Sequence, residues 1–425
     1  MRASTASGIA ADQPDALEAY SFFLSNLVTA EGRFLVPVLR ALVHNFSLDH
    51  GHFEMAAAPA DMSAVVADNQ RDAKAVLDQI QEYSHRILSQ LLSLIPSAST
   101  CLVPIVLVAF PHRRLPLQPQ LRFARNCMKL CDYAPSCRDR VVLGITERLL
   151  LMDVEAPTPV LLPSSSHDAS LVDLSDKLDA LMVDTVEYFN QLAAADSSRL
   201  ENMFCSLVRA FESCILRTHR CRVVQFVVFH ACALRHAFAE DFLRRLLQKA
   251  FDRDSSVVER ETAAAYVGSF VVRAAFLRQP SALAAFQIML NWLTVYVDCH
   301  QSDDALFRPA LVGPLEAPNH AVFYSLCQAV FCVFSYRQAF FASGDVDIHA
   351  IEASLSHVMQ SPLRPLVFCS SVVTADFRDV AMRCGLFDRS SSLTLLAEMS
   401  SSALMESQWR LDHFSPFDPH VLPLS

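Results

Sequence analysis

Glycine is the residue this chain almost does without, with 8 in 425 positions against a usual share of about 7%. Tight β-turns and phosphate-cradling loops both rely on glycine, which lacks a Cβ and reaches positive φ freely. The shortage argues against a β-rich fold and against most nucleotide-binding folds. Helical periodicity is what the chain carries instead. Between Tyr20 and Phe46, apolar residues fall at Phe23, Leu27, Phe34, Leu35, Val38, Leu39, Leu42 and Phe46. Their steps of three, four and seven predict an amphipathic helix pair, broken near Gly32. Pro37 fits the first turn of the second helix, where its missing N–H costs nothing.

The same rhythm continues. Asp72–Ile95 carries one apolar stripe from Val76 to Ile95, and Pro96 stops it. A helix is predicted at Leu102–Phe110, with Pro104 in an early turn. Pro111–Pro119 is a connector with three prolines. Helices at Leu121–Asp132 and Ser136–Met152 flank the turn Tyr133–Pro135, and Ser136 with Asp139 has the spacing of a capping box. Further helices are predicted at Leu174–Leu192, Ser198–Leu216, Arg222–Leu234, Ala239–Phe251, Val257–Phe276, Ser281–Val297, Ala321–Phe334 and His349–Met359. A helix pair recurs roughly every 40 residues, in the HEAT and armadillo range, with no clean sequence repeat. The expected fold is all-α, a HEAT-repeat-like helical solenoid. Its expected parts are a disordered N-terminus (1–19), an N-terminal helical block (20–154), a serine/proline-rich loop (155–173), a C-terminal helical block (174–388) and a serine-rich tail (389–425).

Several function classes drop out on composition. The chain is 52% hydrophobic and 19% charged, so it can bury a large core and is not disordered as a whole. A net charge of −10 does not suit a general nucleic-acid binder, which needs a basic stripe to neutralise phosphates. The 13 cysteines include no CxxC pair, so they read as small apolar core residues in a reducing compartment. Mean hydropathy is +0.27, yet the most apolar runs, Cys101–Phe110, Val223–Leu234 and Ala321–Phe334, fall short of the ~20 residues that cross a bilayer. They are expected to be buried helices, with no membrane partner. The first 20 residues have no apolar stretch of the secretory kind.

No phosphate loop, HExxH helix or GxSxG elbow is present. The pair His50 and His52 lacks a third metal ligand. His219 and Cys221, among Arg217, Arg220 and Arg222, lack an orienting acid for nucleophilic work. No catalytic residue, metal site or cofactor is therefore expected. Local charge clusters remain as partner-binding candidates: Arg113 and Arg114 in the proline connector, Arg138 and Arg140 at the next helix start, and Asp176 and Asp179 on an acidic helix face with Asp173 and Asp184. Each is also read as a solvated face. Arg273 and Arg278 border an apolar helix and are the candidates for direct DNA contact.

Distinct blocks carry a resemblance. They are Tyr20–Val28 with Phe34–Val43, Leu102–Pro104 through Phe110–Arg114, Asn126–Arg140, Leu149–Val154 and Lys177–Met182. The block Ala263–Leu277 is the most specific, followed by Asn291–Leu293, His320–Phe331 and the terminal Phe414–Pro419. In this order they resemble the TIF-IA family of RNA polymerase I-specific initiation factors, from about residue 20 to 420. The resemblance implies a HEAT-repeat fold without enzymatic activity. It implies binding to RNA polymerase I, bridging to promoter-bound core factor, a nuclear and nucleolar location and control by phosphorylation. A homodimer is a further expectation. The serines placed to receive phosphate are Ser164, Ser165, Ser166, Ser170 and Ser175. The insertion after Val154 is briefer and richer in serine than the family pattern, and no basic tail follows the terminal motif. A generic helical-repeat adaptor for transport or assembly shares the fold without the polymerase.

Overall fold

The structure is a computed structural model that describes residues 14–48, 63–156, 169–218, 221–301, 312–313, 315–341 and 347–384. The described residues are helical, with no strand among them. Those up to Cys214 form one compact unit and those from Ile215 a second. The chain passes from one to the other inside a π-helical turn, Phe211–Ile215. The division thus falls between Cys214 and Ile215 and not at the segment 155–173 expected to separate two blocks.

The first unit contains α1 (Pro14–Ala30), α2 (Leu35–His44), α3 (Ser63–Leu94), α4 (Ala98–Ala109), α5 (Leu117–Tyr133), α6 (Pro135–Glu155), α7 (Ala169–Ala195) and α8 (Ser197–Ala210). Each helix packs on the helix two places along: α2 on α4, α4 on α6 and α6 on α8 form one layer, while α1 on α3, α3 on α5 and α5 on α7 form the other. This alternation is what short turns impose on a run of helices that each have one apolar stripe. Helices in one layer run in the same direction. Cys137 reaches Ser99 at the starts of α6 and α4, and Arg148 lies over Phe110 near their ends, 4.9 Å from the ring centroid.

The second unit contains α9 (Gln225–Ala233), α10 (His236–Phe251), α11 (Val257–Arg273), α12 (Gln279–Gln301), α13 (Ala321–Tyr336), α14 (Ile348–Met359), the short α15 (Pro365–Phe368) and α16 (Ser371–Arg383). Again α11, α13 and α16 pack in series, and α12 packs on α10, α13 and α14. The α11–α13 crossing is the tightest. A Cβ on Gly268 would stand 2.9 Å from the Cα of Ala329, so only glycine lets these backbones approach so closely. Beside it, Phe270 is fully buried, 4.9 Å from Phe229 and 5.2 Å from Phe242 between ring centroids.

Several local expectations are corrected. Helix α1 starts at Pro14, inside the 1–19 stretch expected to be disordered. Pro104 lies inside α4 rather than in its first turn. It is exposed, so the i−4 bond that its missing N–H cannot donate is lost on the solvent side of the helix. The Ser136–Asp139 capping box does not form, because Pro135 begins α6 with Ala134 as its cap and no side-chain cap bond. Asp139 instead accepts from Ser206 at 2.6 Å and from Arg209 at 2.8 Å, joining α6 to α8. Helix α11 ends at Arg273, three residues short of Phe276. Helix α16 was not anticipated. Helix α12 is longer than expected, and its Gln279–His300 stretch is long and apolar enough to cross a membrane by length and composition. Here Phe286, Met289, Leu293 and Val297 are buried in the packing of the unit.

Candidate partner-docking surface

The connector between α4 and α5 brings Arg113 against α6 and α7. Arg113 forms an ion pair with Glu155 at the end of α6, Nε to Oε2 at 2.6 Å. Its carbonyl accepts from the Gln120 amide at 3.3 Å and from Lys177 Nζ at 3.5 Å. Lys177, with a side chain only 5% exposed, also pairs with Asp173 at 2.5 Å. Arg148 stacks over Phe110, and burial with the neighbouring Arg113 charge pulls its pKa below the usual guanidinium range. The connector is thereby fixed to α6 and α7 by charged groups. Arg114 and Asp176 are exposed at this corner. Ser170 lies in the first turns of α7 and Ser175 on the same helix is half-buried. Ser164, Ser165 and Ser166 lie outside the described residues.

Large apolar side chains sit in the open beside these charges. Val108 on α4 is 86% exposed, and Leu115, Leu151 and Val154 are each about half exposed. Arg138 is half-buried and donates to the carbonyl of Cys131 at 3.3 Å, so it serves the α5–α6 turn. Arg140 is exposed on α6. Asp179 does not belong to an acidic face. It is 2% exposed, because α7 packs on α5, α6 and α8 and is covered over a wide arc. Asp184 is largely covered too and pairs with Arg125 at 2.5 Å.

A polar layer that the sequence reading missed runs across α3, α5 and α7. Arg122 pairs with Asp78 at 3.3 Å, and Lys129 pairs with Glu82. Asp132 accepts from Tyr188 at 2.8 Å and pairs with Arg199. Arg122, Arg125, Lys129 and Asp132 recur at helical spacing on α5, and that stripe was the available signal. Beneath it His85 is buried, with Nδ1 2.8 Å from the Tyr133 hydroxyl and Nε2 2.9 Å from Asn126 Oδ1. Burial pushes its pKa down to about 4. Asn126 in turn donates to the carbonyl of Phe46 at 3.2 Å.

In the second unit Arg273 turns inward. Its guanidinium lies 5.9 Å from the Phe226 ring centroid and donates to Ser269 at 3.3 Å. Arg278, the other residue expected to reach DNA, is exposed. Cys221 is buried and bonds Gln225 at 3.0 Å, which is a core role; His219 and Arg220, and the pair His50 and His52, lie outside the described residues. Among the described residues no group of three His, Cys, Asp or Glu side chains could hold a metal.

Stacked helix pairs with exposed charged and apolar side chains define a helical-repeat protein of the HEAT-like class, built to present surface. The family profile described as RNA polymerase I specific transcription initiation factor RRN3 matches residues 10–162 and 161–425, and the chain belongs to that family. Mouse RNA polymerase I-specific transcription initiation factor RRN3 is 26% identical, covering 96% of this chain and 68% of the mouse protein. The fission yeast (Schizosaccharomyces pombe) protein described in the same words is 24% identical, covering 96% of this chain and 71% of its own length. A crystal structure of RNA polymerase I transcription initiation factor Rrn3 superposes with a TM-score of 0.76 at 18% identity, covering 97% of this chain and 79% of that one.

Proposed function

We propose that this chain is a non-enzymatic initiation factor that binds RNA polymerase I and bridges it to promoter-bound core factor at ribosomal RNA genes, in the nucleus and nucleolus. The observation that carries this reading is the family match across both helical units. The first unit docks the polymerase, with Arg114, Arg140 and Asp176 as the exposed charges in contact. Arg113 and Arg138 hold the surface in shape behind them. Phosphate on Ser164, Ser165, Ser166, Ser170 or Ser175 tunes that docking. Each phosphate adds a charge of about −1.5 to −2 at neutral pH. Arg278 is the residue left to touch DNA. Self-association as a homodimer accompanies the reading and is checked by light scattering.

The test is a pull-down of the tagged protein from nuclear extract, read by mass spectrometry. The expected result is stoichiometric recovery of the large polymerase I subunits, changed in one direction by Ser164→Asp, Ser165→Asp and Ser166→Asp together. Recovery of other partners without polymerase I would overturn the reading. Unchanged recovery by the triple variant would remove the serine switch alone.

A further inference from the structure

The α11–α13 crossing is close, but their neighbours in the other layer, α10 and α12, splay apart and leave a groove of about 580 Å³ between them. The two helices run in the same direction. Ser281 donates to Glu240 at 3.0 Å at one end, and Phe251 stacks on Trp292 at 5.8 Å at the other. A side-chain contact thus bridges the two helices at each end. The eleven-residue offset between Glu240 and Phe251, at 1.5 Å per residue, makes the groove roughly 16 Å long, or three helical turns.

The floor is apolar, with Leu243, Leu247 and Ala285. One wall is α12, where Ala284 and Ile288 are exposed and no charge occurs between Gln279 and Val297. The other wall is topped by Glu240, Arg244 and Gln248, at i, i+4 and i+8 on α10, with Asp252 just past the end of that helix beyond the three-residue rim. Arg244 stays on this rim through Asp241 and a 2.8 Å bond to Gln248. A contiguous apolar trough with one charged rim is the kind of surface that takes the apolar face of a helix.

We propose that this groove docks a short amphipathic helix of a partner protein. That helix is about three turns long, with apolar anchors at i, i+4 and i+7. On one flank only, it carries a base opposite Glu240 and an acid opposite Arg244. The charge-free α12 wall excludes charges from the other flank, because a buried unpaired charge is costly. The proposal stands on the second unit and does not depend on the polymerase reading.

The experiment uses the full chain and three fluorescein-labelled helical peptides with identical leucine anchors. Their flanking pairs at i, i+4 are Lys/Glu, Lys/Lys and Glu/Glu, and binding is followed by fluorescence anisotropy. The wild-type chain is expected to bind the Lys/Glu peptide saturably and in preference to the others. Arg244→Glu should shift the preference to Lys/Lys, and Glu240→Arg to Glu/Glu, independent of peptide direction. Ala284→Trp, which fills the trough from an exposed position, should weaken all three by roughly tenfold or more, with unchanged circular dichroism and thermal melting. Absence of saturable binding, binding insensitive to Ala284→Trp in a folded chain, or a preference that ignores the rim substitutions would each overturn the proposal.

Discussion

His85 shows what a single buried polar residue does here. Its two ring nitrogens join Tyr133 and Asn126, and it stacks on Phe46 at 4.8 Å, so the turn after α2 is tied to α3 and α5. Burial holds it neutral, with a pKa near 4 against about 6.5 in the unfolded chain. The neutral form is the one the fold accepts. Its contribution is complete above pH 6.5 and is lost as pH falls toward 4, by up to about 1.4 kcal/mol per pH unit. Denaturant unfolding between pH 7 and 4 should show that extra slope in the wild type and not in His85→Gln; equal slopes would contradict it. At Gly268 the argument is steric. Gly268→Ala places a methyl group 2.9 Å from Ala329, and the overpacking should cost roughly 1–3 kcal/mol, read as a lower thermal midpoint. An unchanged midpoint would mean that α11 and α13 separate freely.

At the level of elements, α7 separates two aspartates that look alike in sequence. Asp176 is exposed and Asp179 is buried. Asp176→Lys should leave stability within roughly 0.5 kcal/mol, whereas Asp179→Lys should cost several, about 3 kcal/mol or more. Matching thermal melts for the two variants would contradict the placement. Helix α8 has a true side-chain cap, since Asp196 accepts from the N–H groups of Ser198 and Arg199 at 3.0 Å. Asp196→Ala should therefore cost about 1 kcal/mol. The contrast explains what could be read from the sequence. Apolar stripes such as Val76–Ile95 mark helices because burial needs only one face, so helix existence was legible along most of the chain. Caps and prolines depend on local exposure, which is why Pro104 and Ser136 were misplaced. The arc that α7 buries depends on three packed neighbours, and no spacing of aspartates encodes that. The α5 stripe was visible, but its acidic partners lie 44 to 59 residues away in sequence.

At the scale of the whole molecule, the net charge is −10, so the docking proposed above has to rest on local cations and not on bulk charge. Arg114→Glu with Arg140→Glu should lower polymerase I recovery severalfold, roughly the 1 kcal/mol that two exposed charge contacts are worth, while circular dichroism stays unchanged. Recovery equal to wild type would move the docking surface elsewhere. The most direct test of the initiation-factor reading is promoter-directed transcription in a nuclear extract depleted of this protein. Depletion should abolish transcripts starting at the ribosomal RNA promoter, and purified full-length chain should restore them, with polymerase I activity on a nonspecific template unaffected throughout. Promoter-directed synthesis that survives complete depletion would contradict the account.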